Sequence, residues 1–333
     1  MSSETSQNLR VGLIGLGSMG RHHARVIRAT EGMDLVAVAD PGGDRFGVAG
    51  ELPLLPDVQA LIDAGLDAAM VAVPTIYHED VALALAEEGV PTMVEKPIAH
   101  DAAAGRRVAD AFESRGLVGA VGYVERCNPA LRALRERLDR GDLGEVYQVM
   151  TRRQGPFPAR ISDVGVVKDL ATHDVDLTAW VANSPYTSIS AQVTHRSGRE
   201  NEDMVVATGQ LASGAIVSHV VNWLTPFKER VTIVTGEKGA FVADTLTGDL
   251  TFYANGTVAS TWDQVAAFRG VTEGDVIRYA IEKREPLSLE QENFRDAVRG
   301  VGNAHVTMAE GVATLDVVEA VLSSAETGTT VQL

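Results

Sequence analysis

The sequence contains one cysteine, Cys127, in 333 residues. That excludes an intramolecular disulfide and any metal site built from several cysteines. Cations are short as well: 29 Lys and Arg face 45 Asp and Glu, a net charge of −16. So acidic a chain is a poor polyanion binder, and neither nucleic acid nor an anionic membrane surface is expected as a partner. No apolar run approaches the ~18 residues of a membrane-spanning helix. The opening stretch MSSETSQNLR is polar and lacks the apolar core of a secretory leader, so a cytoplasmic protein is expected. What remains is ordinary globular composition, 45% hydrophobic and 22% charged. The length exceeds what a single core usually supports, which predicts two domains.

The first 125 residues alternate strand and helix signals. Strands are predicted at 9–14, 34–39, 68–73, 90–94 and 117–121, with helices at 19–30, 78–88 and 102–115. Nearly unbroken apolar strands alternating with helices predict a parallel sheet covered on both faces. After Val124 the rhythm changes. A helix at 128–140 precedes long runs at 146–153, 188–195, 204–211, 215–223 and 230–242, with shorter ones at 251–254 and 258–261. Successive strands joined by Ser-Gly and Gly-Glu-Lys-Gly turns predict a large, mainly antiparallel sheet. Helices return at 289–299 and 308–324. The expected fold is an α/β domain over 1–125 followed by an α+β domain over 126–333, with the C-terminal helices free to pack back on the first.

Gly15-Leu-Gly17-Ser18-Met19-Gly20 follows the first strand and opens the first helix. Gly15 permits the tight turn, Gly17 permits close approach of a pyrophosphate, and Gly20 lets the helix pack close to the sheet. Asp40 ends the second strand 20 residues later, the spacing of a carboxylate that accepts the adenosine ribose hydroxyls. This predicts a Rossmann-type dinucleotide site. A carboxylate at Asp40 repels a 2′-phosphate, so NAD is favoured over NADP. Val73, Pro74 and Thr75 end the third strand at the same carboxyl edge, where they either line the cofactor or form an ordinary turn. His78 starts the next helix and either approaches the nicotinamide end or caps locally.

Glu95-Lys96-Pro97 ends the following strand at that edge. Lys96 is either an exposed surface lysine or a group that holds a substrate oxygen near the nicotinamide. In Lys168-Asp169-Leu-Ala-Thr-His173-Asp174-Val-Asp176, the apolar positions predict a helix. Asp169 and His173, four apart, would then stack on one face. They form either a solvated helix face or a carboxylate–imidazole pair suited to proton transfer. No HExxH pattern or neighbouring histidine suggests a metal.

In this order, GxGxxG, Asp40, Glu-Lys-Pro and D-x-x-x-H resemble the Gfo/Idh/MocA oxidoreductases over nearly the whole chain. The resemblance implies NAD-dependent oxidation of a carbinol on a sugar or cyclitol, with Lys96 binding substrate and Asp169 and His173 as the acid–base pair. It also implies a cis Lys96–Pro97 peptide and a homodimer or homotetramer formed through the second sheet. The segments from Gly122 to Pro129, Gly155 to Arg160 and Asp163 to Asp176 are similar to the UDP-N-acetylglucosamine 3-dehydrogenase branch. Cys127 stands where that branch usually has Phe, Lys168 where it has an apolar residue, and the path from Asp40 to Pro53 is short for the usual helix. For a nucleotide sugar, Arg126, Asn128, Arg153 and Arg160 are candidate substrate anchors, because guanidinium forks suit a diphosphate. The alternatives are an inositol or free-sugar dehydrogenase and, in another class, a dinucleotide-binding sensor without catalysis.

Overall fold

A computed structural model of the chain describes residues 8–158, 164–256 and 272–333. The chain divides into two units, Met1–Val124 with Glu285–Glu319, and Glu125–Arg284 with Ala320–Leu333.

The first unit carries β1 (Leu9–Ile14), α1 (Gly20–Ala29), β2 (Met33–Ala39), β3 (Leu54–Leu55), α2 (Val58–Asp63), β4 (Ala68–Val71), α3 (His78–Glu87), β5 (Thr92–Glu95), α4 (Ala102–Glu113) and β6 (Gly119–Gly122). The six strands form one parallel sheet in the order β3-β2-β1-β4-β5-β6. The chain winds outward in opposite directions from β1 and β4, which creates the crevice where such sheets bind ligands. Val11, Leu13, Met70 and Met93 fill the core with Ile27 of α1. Phe294 of α7 (Pro286–Val298) enters the same core, although it lies more than 200 residues beyond Met93. The short path after β2 folds as a loop in place of a helix. Asp44 accepts the backbone N–H groups of Phe46, Val48 and Ala49, and Val48 and Ala49 are buried in the core.

The second unit contains α5 (Pro129–Asp139), β7 (Val146–Pro156), a π-turn (Val167–Ala171), α6 (Thr172–Ala182), β8 (Tyr186–Thr194), β9 (Met204–Leu211) and β10 (Ile216–Asn222). It continues with β11 (Leu224–Gly236), β12 (Gly239–Asp244), β13 (Asp249–Gly256), β14 (Thr272–Arg278) and β15 (Val331–Gln332). The sheet order is β14-β13-β12-β11-β7-β10-β9-β8-β15, antiparallel except between β7 and β10. The α8 helix (Met308–Thr327) precedes β15. The run 230–242 is resolved into two strands by the turn at Glu237 and Lys238. The strand expected at 258–261 lies outside the described residues. No helix among the described residues is long and apolar enough to cross a membrane.

Candidate active site

The glycine loop is built as a phosphate site requires. Gly15 has φ +93°, and a side chain there would run into the backbone of Ala72. A Cβ on Gly20 would strike the carbonyl of Gly15, so the first turn of α1 can close on the strand only without one. Gly17 is different: a Cβ there would meet nothing, so the space beside it is open to a pyrophosphate. No side-chain cap satisfies the N-terminus of α1 at Met19, and Ser18 is half-buried. These features suit a dinucleotide. Asp40 accepts the N–H of Leu16 and of Gly42, each at 2.7 Å. Its half-exposed carboxylate retains lone pairs for ribose hydroxyls.

β4 stops at Val71, two residues short of the predicted end, and Pro74 leads into a single 3-10 turn, Thr75–Tyr77. Pro74 is exposed and Val73 and Thr75 are half-buried. His78 is buried. Its ring nitrogens lie 2.8 and 2.9 Å from the carbonyl oxygens of Pro97 and Val73. Burial pushes its pKa below the ordinary histidine value. The ring thus braces the loops after β4 and β5 through two backbone carbonyls.

Glu95 is also turned inward. It is 8% exposed, with one oxygen 2.7 Å from His23 Nε2 and the other accepting the Lys96 N–H at 3.1 Å. The Lys96–Pro97 peptide is cis, and the Lys96 side chain is half-buried.

The helix predicted across 168–176 is divided. Asp169 lies in the π-turn and His173 in the first turn of α6. A single π-turn resets the phase of a helix and recurs at functional sites. Asp169 is 5% exposed and His173 half-buried. Glu202, just before β9, anchors the start of this segment: its side chain accepts the N–H of Val167 at 2.9 Å and its carbonyl that of Val166. The next turn is clamped by arginines. Asp174 accepts from Arg153 Nε at 2.8 Å, and Asp176 pairs with both Nε and a terminal nitrogen of Arg126 at 2.9 and 2.6 Å. Glu125 takes a further Arg153 nitrogen at 2.6 Å. Burial, joined by the Glu125 charge, pushes the Asp174 carboxyl above its ordinary range against the pull of Arg153.

These pairs bear on the substrate-anchor expectation for Arg126 and Arg153. Both guanidinium groups, each 4% exposed, are spent on carboxylates of their own unit. Asn128 caps α5 through Ala130 and donates to the Thr245 carbonyl. Arg160 lies outside the described residues. Sequence reasoning had no signal for His23, Gln291 or Glu202, whose partners come from distant segments.

Comparison with known proteins identifies the family of the chain. Residues 9–123 match the oxidoreductase family with an NAD-binding Rossmann fold, and residues 131–242 match the GFO/IDH/MocA C-terminal domain. The UDP-N-acetylglucosamine 3-dehydrogenase of Acidithiobacillus ferrooxidans is 30% identical across 87% of this chain and 89% of its own. Its crystal structure superposes with a TM-score of 0.83 at 25% identity, covering 96% of this chain and 98% of that one. The scyllo-inositol 2-dehydrogenase (NAD(+)) of Bacillus subtilis is 26% identical across 98% of this chain and 96% of its own. GenD2 from gentamicin A biosynthesis, solved in complex with NAD, gives a TM-score of 0.81 at 26% identity over 100% of this chain and 98% of that one. The chain is therefore an NAD-binding oxidoreductase and belongs to the GFO/IDH/MocA family.

Proposed function

We propose that the protein oxidises a secondary hydroxyl of a sugar, and that the sugar is a nucleotide sugar of the UDP-N-acetylglucosamine type reacting at C3. The observation that carries this reading is the 30% identity to a dehydrogenase of that specificity, spread over most of both chains. NAD, once held by the glycine loop and Asp40, would supply the hydride acceptor for the carbinol carbon. His173 takes the hydroxyl proton as the carbonyl forms, acting as general base. Lys96 hydrogen-bonds the reacting oxygen and stabilises the negative charge that develops on it. Asp169 holds His173 in orientation. Gly15, Gly17 and Gly20 seat the pyrophosphate, and Asp40 takes the ribose and disfavours a 2′-phosphate.

A second reading, an inositol dehydrogenase, is favoured by one observation. Arg126 and Arg153 are committed to internal carboxylates and offer no fork to a diphosphate. Mass spectrometry of UDP-N-acetylglucosamine with the protein, NAD and 2-oxoglutarate separates the two. Loss of two mass units from the sugar nucleotide, absent with His173→Ala, supports the first reading. NADH formation with scyllo-inositol and no change in the nucleotide sugar selects the second. Dinucleotide binding without turnover on either leaves the sensor.

Assembly of a homodimer or homotetramer through the second sheet is supported by accessible apolar residues on one of its faces. The strand pairing puts Val206, Ile216, Met150, Ile233, Tyr253 and Val276 on the same side, exposed or half-buried. A monomer in sedimentation velocity would remove that reading.

A further inference from the structure

The loop that stands in place of a helix after β2 carries an aromatic ring, Phe46, that is 52% exposed. A single apolar side chain at the surface needs no explanation, but this one is held by a built frame. Asp44 accepts the N–H of Phe46 at 3.2 Å and those of Val48 and Ala49 at 2.8 and 2.7 Å. Arg28 of α1 donates to the carbonyls of the same two residues at 2.8 and 3.1 Å, and their side chains are buried in the core. Gly47 has φ +65°, so the chain can turn inward directly after the ring. The backbone around Phe46 is thus fixed while its side chain is left outside the core.

The ring lies beside the first turn of α1. The Arg21 guanidinium carbon stands over it, 4.9 Å from the ring centre. Arg21 in turn belongs to the glycine turn, because its backbone N–H is donated to the Gly17 carbonyl at 3.2 Å. The loop itself departs from Asp40, whose carbonyl accepts the Gly43 N–H at 3.0 Å and whose carboxylate accepts that of Gly42 at 2.7 Å. Phe46 and Arg21 therefore join the two parts of the dinucleotide site, the loop behind the ribose carboxylate and the turn that faces the pyrophosphate. The group attached to that ribose in a dinucleotide is adenine, a flat ring with two π faces. An aromatic ring and a planar guanidinium are both surfaces on which such a base stacks.

We propose that Phe46 and Arg21 together form the wall against which the adenine ring of the dinucleotide stacks, in place of the wall that a helix after β2 would give. The proposal rests on the ribose role given to Asp40 above. Because Asp44 and Arg28 already hold the loop, the wall is in place before the cofactor arrives and little ordering cost is charged to binding. A Phe46 that merely completed the surface would be indifferent to the cofactor, and that difference is measurable.

Isothermal titration of ADP-ribose into the full-length protein reads the adenosine half without requiring turnover. Phe46→Ala is expected to raise the Kd about tenfold, the loss of one base–aromatic stack. Arg21→Ala is expected to raise it about threefold, the scale of an exposed guanidinium–π contact. Phe46→Tyr keeps the π face and is expected to bind as the parent does, whereas Phe46→Leu keeps bulk without the face and is expected to lose most of what Phe46→Ala loses. The ring is half exposed, so urea unfolding of these variants should stay at the parent midpoint. An unmoved Kd in Phe46→Ala, or equal affinities for Phe46→Leu and Phe46→Tyr, overturns the proposal. So does an Arg21→Ala loss confined to 2′-phospho-ADP-ribose, which would make the guanidinium a phosphate ligand. Asp40→Ala is titrated alongside. An unmoved Kd there sinks the ribose role of Asp40, whereas the Phe46 variants separately decide whether the adenine has this wall.

Discussion

Lys96 and His173, the two side chains proposed to act on the reacting oxygen, are mounted alike on different chemistry. Each is half-buried and directly adjoins a buried carboxylate in sequence, Glu95 before Lys96 and Asp174 after His173. Glu95 is held by an imidazole and a peptide N–H. Asp174 and its neighbour Asp176 are held by guanidinium groups. A guanidinium cancels the charge it holds, so the α6 mount can transmit position but little field. At the end of β5 one of the two partners is the peptide N–H of Lys96 itself, so that mount fixes the backbone of the residue it precedes. Buried carboxylates that look equivalent by exposure thus serve different ends, and the partner decides which.

The largest expected effect tests whether both mounts carry working groups. Lys96→Ala and His173→Ala should each lower kcat by roughly 10²–10⁴-fold, the range for removing one positioned acid–base group. NAD affinity, read by fluorescence titration, should change little in either. Near-wild-type turnover in both variants would dissolve the comparison.

Next is the cost of breaking an arginine mount. Asp176→Ala leaves the buried Arg126 without its bidentate partner and should cost about 3–5 kcal/mol in urea unfolding. Asp174→Asn should cost less, because Glu125 still holds Arg153. Equal losses would show that the second carboxylate contributes nothing.

A third test uses the buried histidines. His219 in β10 has only neutral partners, with ring nitrogens 2.7 Å from the Thr151 hydroxyl and 2.9 Å from that of Tyr186. Burial lowers its pKa from 6.5 to about 4. The unfolded chain therefore binds a proton that the folded chain refuses. Stability contributed by neutral His219 should be full above about pH 6.5 and fall as pH drops toward 4, by on the order of 3 kcal/mol. His219→Gln should flatten that part of the stability–pH curve, and an unchanged slope would show that His219 does not govern it.

The smallest effect belongs to Asp40, a half-exposed carboxylate with neutral N–H partners. Asp40→Ala should raise the KM for NAD about tenfold, the loss of a charge-assisted hydrogen bond of roughly 1.5 kcal/mol, and narrow the preference over NADP. An unaltered NAD/NADP ratio would count against its role at the ribose.

Local patterns made much of this legible. Strand β1 was readable because an apolar run meets three glycines at fixed spacing, and β9 because its alternation is regular over Met204–Leu211. The two-residue β3 and the six-residue α2 are too short to express a period and went unseen. The Asp169–His173 spacing marked a site, but helical periodicity cannot distinguish a π-turn from an α-turn across five residues. The carboxylate partners of Arg126 and Arg153 were not legible, because a guanidinium that binds a diphosphate and one that binds an aspartate are the same residue in a sequence.

By itself the sequence determined what depends on neighbours along the chain: the phosphate-binding turn, the alternation of strands and helices, the acid at the end of β2, and Lys96 at the end of β5. Only the tertiary structure decided what depends on residues far apart: Phe294 joining the first core, Gln291 reaching His23, and arginines closing on Asp174 and Asp176. Periodicity records which side of an element is buried, whereas the partner of a buried polar atom is chosen by which segments the fold brings within about 3 Å.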